Sequence, residues 1–222
     1  MPEPLFPLFL QLTGRPCLLI GGGAVAEEKA ARLLAAGARL TIVAPSLLPT
    51  LQRRAEQQEL LWLAERFQAH HLNGMWFAVS TLQDASVNRY LFEEANRRHL
   101  FLNVVDLPHF CTCHWPASLE RPPVTVAFST AGTAPALAGY LRQLLEKTLP
   151  HRLGEVAEWI SAWRQRVHPL LPDLEARGQF WRQLFAKGVV ERFAAGEQEQ
   201  AEQIIQQALQ ALAPPAQDEQ HD

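Results

Sequence analysis

Cysteine is scarce in this chain, with only Cys17, Cys111 and Cys113 among 222 residues. An odd, sparse set supplies no disulfide framework. Cys17 lies inside an apolar run and reads as a small core hydrophobe. No apolar stretch approaches the ~20 residues of a membrane-spanning helix. The opening Met1-Pro-Glu-Pro-Leu-Phe-Pro7 lacks the basic start and unbroken apolar core of a secretory signal. A cytoplasmic location is therefore expected, with no membrane partner. Excess positive charge is missing too: 20 Lys and Arg against 23 Asp and Glu leave a net charge of -3. That balance offers no general attraction to nucleic acid. Internal repeats are absent.

What is present is enough apolar material, 48% of residues, for a substantial core. Its landmark is Cys17-Leu-Leu-Ile-Gly-Gly-Gly-Ala-Val-Ala26, which reads as strand, tight turn and helix start. Gly21, Gly23 and Ala26 fit the G-x-G-x-x-G/A spacing. In that pattern the first glycine permits the turn, the second lets a pyrophosphate approach the backbone, and the third small residue lets helix pack on strand. The free N–H groups of Gly22, Gly23, Ala24 and Val25, aided by the helix dipole, suit phosphate. Glycines also occur in plain strand-to-helix turns, so context matters. Here Ala30, Leu33 and Leu34 continue one helical face.

Further strands are expected at 39–44, 60–64, 75–80 and 101–105, alternating with helices, the first at 24–36 and the last carrying Val87, Leu91 and Ala95. This order calls for a doubly wound parallel sheet of Rossmann-like α/β type, with ligands at the carboxyl ends of the strands. Ala44, Pro45, Ser46, Thr81 and Asp106 would meet the three glycines along that edge. Residues 5–12 form an apolar lead-in expected to pack on the sheet or pair at its edge. After residue 110 the alternation ends. One strand at 123–128, the polar turn Ser129-Thr-Ala-Gly-Thr133 and a helix at about 134–149 follow, with Thr133 placed to cap it. Val156, Trp159, Ile160, Trp163 and Val167 mark one later helical face. Ala201, Ile204, Ile205, Ala208, Leu209 and Leu212 mark another, with a short aromatic-rich helix about Phe180–Phe185 between them. The expected division is a dinucleotide-binding domain at 1–113, a strand-helix dimerisation region at 114–149, a helical domain at 150–213 and a disordered tail at 214–222.

The end of the second strand, Val43-Ala-Pro-Ser46, has neither the carboxylate that holds an NAD ribose nor the arginine that takes an NADP phosphate. Backbone groups of Ala44 to Ser46 must serve instead. The missing acid also counts against a methyltransferase. A short-chain dehydrogenase needs Tyr-x-x-x-Lys, whereas Tyr90 and Tyr140 precede Glu94 and Leu144 at that spacing.

Three stretches in order, Gly21-Gly-Gly-Ala-Val-Ala-Glu-Glu-Lys29, Asn103-Val-Val-Asp-Leu-Pro108 and Ser129-Thr-Ala-Gly-Thr-Ala-Pro135, closely resemble the precorrin-2 dehydrogenase / sirohydrochlorin ferrochelatase family, the sirohaem synthase N-terminal type. The resemblance runs from about residue 5 to about residue 195. It implies NAD-dependent oxidation of precorrin-2 to sirohydrochlorin and, in many members, Fe(II) insertion to give sirohaem. Larger relatives add a methyltransferase, which a chain of this length is not expected to hold. The resemblance also implies a homodimer joined through the 112–149 region, whose apolar helix has little other chain to cover it.

Asp106 matches the family's general base, and one carboxylate can serve both dehydrogenation and removal of pyrrole N–H protons. Read from the residues alone, Asp106 can equally cap a turn before Pro108. Asp84, the only other aspartate before residue 170, opens a helix and suits a cap. Ser129, Thr130, Gly132 and Thr133, with Asn103, are the expected seat for tetrapyrrole carboxylates, or else a plain capping loop. Lys29, Arg142 and Arg152 add positive charge to the site or are solvated. The stretch His109-Phe-Cys-Thr-Cys-His-Trp-Pro116 departs from the family pattern. It places His114, with His109, Cys111 and Cys113, as candidate soft metal ligands near Asp106. Cys-x-Cys-His without a second pair fits no closed zinc site, which leaves a structural role open. His70, His71 and His99 read as surface residues. The rival from another class is a non-catalytic dinucleotide-sensing module, which would leave Asp106 and the Ser129 turn without purpose.

Overall fold

A computed structural model describes residues 4–212, and the expected tail at 214–222 lies outside them. The chain divides into two compact units. One holds residues up to Pro116 together with Ala131–Ala134, and the other holds Ala117–Thr130 and the chain from Pro135 onward.

The first unit is built around β1 (Pro16–Ile20). Its neighbours are β2 (Arg39–Val43) and β4 (Phe77–Ser80), flanked by β3 (Leu61–Leu63) and β5 (Phe101–Val104) in the order β3-β2-β1-β4-β5, all parallel. A central parallel strand is covered on both faces, which explains why Cys17 to Ile20 is apolar without interruption and at most 1% exposed. Alternate side chains go to opposite layers. Cys17 and Leu19 join the cluster under α1 (Ala24–Ala35) and α2 (Pro49–Glu56), and Leu18 and Ile20 join the one under α3 (Ala85–Arg97). Helix α1 buries Ala26, Ala30 and Leu33 at i, i+4 and i+7, and the two alanines let it lie close to the sheet.

Away from the site, two expectations fail in this unit. The 5–12 lead-in neither pairs nor packs, since residues 4–11 are exposed, Phe6 at 85% and Phe9 at 71%, and only Leu12 is buried. Pro4 and Pro7 remove ladder donors. The free edge of β5 is already taken by residues 111–113, which return along it. Thr112 and Cys113 N–H donate to the Leu102 carbonyl at 2.9 and 3.1 Å, and Leu102 N–H donates to Thr112 Oγ1 at 2.7 Å. The second failure is His71, which is buried at 5% exposure while His70 and His99 are exposed as expected. Its ring is satisfied on both sides, by Gln68 N–H at Nδ1 (3.0 Å) and by Glu65 Oε1 at Nε2 (3.0 Å).

In the second unit the single expected strand is half of an antiparallel hairpin. It joins β6 (Ala117–Arg121) to β7 (Val124–Phe128) through Pro122-Pro123. Helix α4 (Pro135–Thr148) packs on β6. The chain ends in α5 (Leu153–Leu170), α6 (Leu174–Ala186), α7 (Val189–Ala194) and α8 (Gln198–Gln210). The expected faces meet there in one core that includes Val156, Trp163, Val167, Phe180, Leu184 and Ile205. The aromatic-rich helix is longer than Phe180–Phe185 because Asp173 caps it upstream, accepting from Ala176 N–H at 2.6 Å. None of the described helices is long and apolar enough to cross a membrane.

Candidate active site

The turn from β1 into α1 has three glycines with three different reasons. Gly21 sits at φ +117°, and a Cβ there would lie 2.1 Å from Thr81 Oγ1. Thr81 is drawn in because its N–H and hydroxyl both donate to the Ile20 carbonyl, at 2.9 and 3.1 Å. Gly22 is pressed against the loop after β2: a Cβ would be 2.1 Å from the Ser46 carbonyl, and Leu48 N–H donates to the Gly22 carbonyl at 3.0 Å. At Gly23 a Cβ would meet nothing within 4 Å. This position is left open, as a backbone that must admit a pyrophosphate requires. Gly23 is also the N-cap of α1 and offers no side-chain cap, so the first-turn N–H groups of Ala24 and Val25 stay available for an anion.

A cavity of about 750 Å³ opens beside this turn, lined by Gly21–Gly23, Ala44–Leu48, Arg66, Phe67, Leu82 and Asp84. The residues present therefore fit a dinucleotide: an anion seat at the helix start next to an apolar slot. The loop on its far side is shaped by a buried network. Ser80 Oγ donates to Asn88 Oδ1 (2.8 Å), Asn88 Nδ2 donates to the Leu82 carbonyl (2.8 Å), and Leu82 N–H donates to Ser80 Oγ (3.3 Å). Asp84 caps α3 as expected, accepting from Ser86 and Val87 N–H. Hydrogen bonds from the Ser86 hydroxyl and then from those N–H groups hold its carboxyl below the ordinary aspartate range. Arg66 and Phe67 were missed from the sequence. Their one legible signal is position, since they follow β3 at the same carboxyl edge.

Asp106 stands two residues past β5, on that same edge of the sheet. It occupies the left-handed region at φ +63°, which aspartate tolerates better than most residues. Among the described residues its carboxylate has no hydrogen-bond or ion-pair partner. The returning segment Ala131–Ala134 belongs to this unit, and a Cβ on Gly132 would be 3.5 Å from Pro108 Cβ. Gly132 thus lies against the turn that follows Asp106, and Thr133 belongs to the same unit, while Ser129 and Thr130 belong to the second.

Asn103 behaves differently from expectation. It is buried, and its Nδ2 donates to the Cys113 carbonyl at 3.1 Å, so it fastens the returning segment to β5 rather than reaching outward. Cys111 is likewise committed to the backbone, accepting from Val104 N–H at 3.2 Å with the Val104 and Leu107 carbonyls at 3.3 and 3.4 Å. Burial pushes the Cys113 thiol up to about 12, with Cys111 adding to the shift, and raises Cys111 as well. The Cys111 sulfur is thus engaged by backbone groups of its own turn rather than turned toward a ligand cluster. The expected grouping of His114 with His109, Cys111 and Cys113 does not form. Among the described residues the only convergent trio of ligand atoms is Glu65, His70 and His71. That trio is not a metal site either, because Gln68 N–H holds Nδ1 of His71 bare and so places the ring proton on Nε2, toward Glu65. Lys29 lies 4.8 Å from the Trp115 ring centroid and pairs with Glu28. Arg142 pairs with Glu146, and Arg152 with Glu155.

Two family models match the chain: one described as "Putative NAD(P)-binding" over residues 8–117, and one described as "Sirohaem synthase dimerisation region" over 152–209. The second description thus falls on the α5–α8 helices rather than on 114–149. A siroheme synthase of Photorhabdus laumondii is 41% identical over 204 residues, 92% of this chain and 43% of that protein. Siroheme synthase 1 of Aeromonas hydrophila is 43% identical, over 91% of this chain and 44% of its own length. The chain belongs to the sirohaem synthase family. It spans less than half the length of these relatives. Among solved structures, SirC, a precorrin-2 dehydrogenase, superposes with a TM-score of 0.73 at 19% identity, covering 93% of this chain and all of that one. That likeness speaks for the fold.

Proposed function

We propose that the chain is an NAD-dependent precorrin-2 dehydrogenase that forms sirohydrochlorin and also inserts Fe(II) into it. The observation that carries this reading is Asp106: an unpaired carboxylate, held on a left-handed turn at the sheet edge that also bears the glycine cradle. Precorrin-2 must lose two hydrogens, one as hydride and one as a proton. NAD bound on Gly21–Val25 supplies the hydride acceptor. The chain's own groups do the rest. The α1 N-terminus and open Gly23 would hold the pyrophosphate, and the loop 44–48 and Leu82 would line the adenosine end. Asp106 takes the proton. Chelation removes two pyrrole N–H protons for each Fe(II), and the same carboxylate is positioned for that work. The polar turn Ser129–Thr133 is the proposed seat of the substrate's carboxylates, and Gly132 in it lies against Pro108, two residues past Asp106. The partner of the chain is a second copy of itself, and its setting is the cytoplasm.

The test is anaerobic NADH formation from precorrin-2, followed by Fe(II) insertion into sirohydrochlorin. Asparagine is at home in the left-handed region, so Asp106→Asn should keep the melting temperature and NAD affinity of the parent while turnover falls about 100-fold or more. Undiminished turnover removes Asp106 from the mechanism. Failure of the parent to reduce NAD favours the sensing module.

A further inference from the structure

The cofactor cavity has an asymmetry of charge. In a doubly wound sheet the adenosine ribose lies at the end of β2, where a carboxylate selects NAD by bonding the 2′-hydroxyl and repelling a 2′-phosphate. Here β2 runs out through Val43, Ala44, Pro45 and Ser46, with no acid. Among the charged residues lining the cavity are one cation, Arg66, and one anion, Asp84. Asp84 follows β4, separated from β3 by two intervening strands, and its Oδ1 is occupied by Ser86 N–H, Ser86 Oγ and Val87 N–H at 2.9, 2.6 and 3.2 Å.

Arg66 follows β3, the strand paired with β2, so it emerges beside the ribose end of the slot. Its neighbour Phe67 packs against the core layer containing Leu18 and Ile20 and anchors the backbone there. The one carboxylate adjacent in sequence, Glu65, is held away by buried His71 at 3.0 Å. Arg66 makes no ion pair or hydrogen bond among the described residues. The same holds for the Ser46 hydroxyl and for the Ser46 and Leu47 N–H groups. A guanidinium, a hydroxyl and two backbone donors, unpaired among the described residues, line one cavity at whose β2 end there is no acid, and such a donor set suits a phosphate dianion.

Building on the dinucleotide reading above, we infer that Arg66 and Ser46 hold the 2′-phosphate of NADP, so that the chain accepts NADP as well as NAD. Binding of each dinucleotide to the intact chain, measured calorimetrically without tetrapyrrole, tests this. NADP should bind within about tenfold of NAD. Arg66→Gln, on an exposed residue, should weaken NADP about 10- to 100-fold, the value of a charge-assisted contact, and NAD less than about threefold. Ser46→Ala should weaken NADP alone, by a smaller factor, and Arg66→Lys should restore part of the loss. The inference is overturned if NADP binds over about a hundredfold more weakly than NAD, or if Arg66→Gln weakens both equally, which would assign the arginine to a group they share. Should neither dinucleotide bind, the cofactor reading falls together with the inference.

Discussion

Gly22 and Gly23 are adjacent and chemically identical, yet they answer to different constraints, and substitution separates them. An alanine methyl at Gly22 would sit 2.1 Å from the Ser46 carbonyl, so the loop after β2 must move. Gly22→Ala should cost about 1–3 kcal/mol of stability, read from urea unfolding, and should weaken dinucleotide binding as well. Gly23 has ordinary dihedrals, φ -88° and ψ -169°, and open space before it. Gly23→Ala should cost no more than about 1 kcal/mol, for the weaker N-cap, while filling the space the pyrophosphate needs, so that affinity falls far more than stability. Equal unfolding midpoints for the two variants would sink the distinction. The buried thiols give a second prediction at this scale. Burial pushes Cys17 up to about 11 and Cys113 up to about 12, against an ordinary 9.0. At pH 8 the folded chain should resist iodoacetamide at both positions while the urea-unfolded chain is alkylated, as mass spectrometry can show. The linkage has a definite sign. Above about pH 9 the unfolded thiols lose protons that the folded ones keep, so their contribution is full below that point and lost as pH rises toward 11–12.

At the scale of elements, legibility follows from how local the cause is. The run Cys17–Ile20 announces a central strand because burial on both faces leaves no polar alternative, and Asp84 announces a cap because the hydrogen bonds lie within its own turn. Strand β6 is silent. Ala117-Ser-Leu-Glu-Arg121 has one large apolar residue, Leu119, and its strand state comes from pairing with β7. His71 is silent for a similar reason: a histidine can be buried there only because Glu65 and Gln68 meet it after folding. The site divides in the same way. The glycines were readable as candidates from spacing and Asp106 from its place after a strand and from the family resemblance, whereas Arg66 needed the knowledge that β3 ends beside β2. The segment 111–113 looked like metal chemistry because its residue types are ligands, but the structure uses them as an edge cover for β5. Thr112 shows this, since its Oγ1 accepts from Leu102 N–H at 2.7 Å and donates to the Leu100 carbonyl at 3.1 Å. Thr112→Val strips both bonds while keeping the shape. It should cost about 1–3 kcal/mol and speed amide exchange at Leu102. Unchanged exchange there would mean that the cover is dispensable.

At the scale of the whole molecule the open quantity is the number of chains. Helix α4 has no buried residue, and Leu137, Tyr140 and Leu144, exposed at 49%, 61% and 46%, fall at i, i+3 and i+7 along one stripe. An apolar stripe of this kind on an ordered helix is what a second copy would cover. Beside it the Glu146 carboxylate is shared between Arg121 and Arg142, both at 3.2 Å, which gives the stripe a polar rim. The chain should therefore sediment at twice its monomer mass at micromolar concentration. Tyr140→Arg combined with Leu144→Arg should reduce it to one, since both guanidinia would be desolvated against like charges across a two-fold axis. The dimerisation-region model covers 152–209 instead, where Leu170 and Leu174 are exposed at 56% and 77%. The arginine pair Leu170→Arg and Leu174→Arg is the matched comparison. If it dissociates the dimer and the α4 pair does not, the seam lies on the α5–α8 helices. Helix α4 begins directly after Ala131–Ala134, the segment that reaches the Asp106 turn, so loss of a seam on α4 should carry a catalytic cost. The α4 variants should keep dinucleotide affinity, which resides in the glycine cradle, and lose turnover with precorrin-2. A monomer that turns over at the parent's rate would separate the assembly from the chemistry.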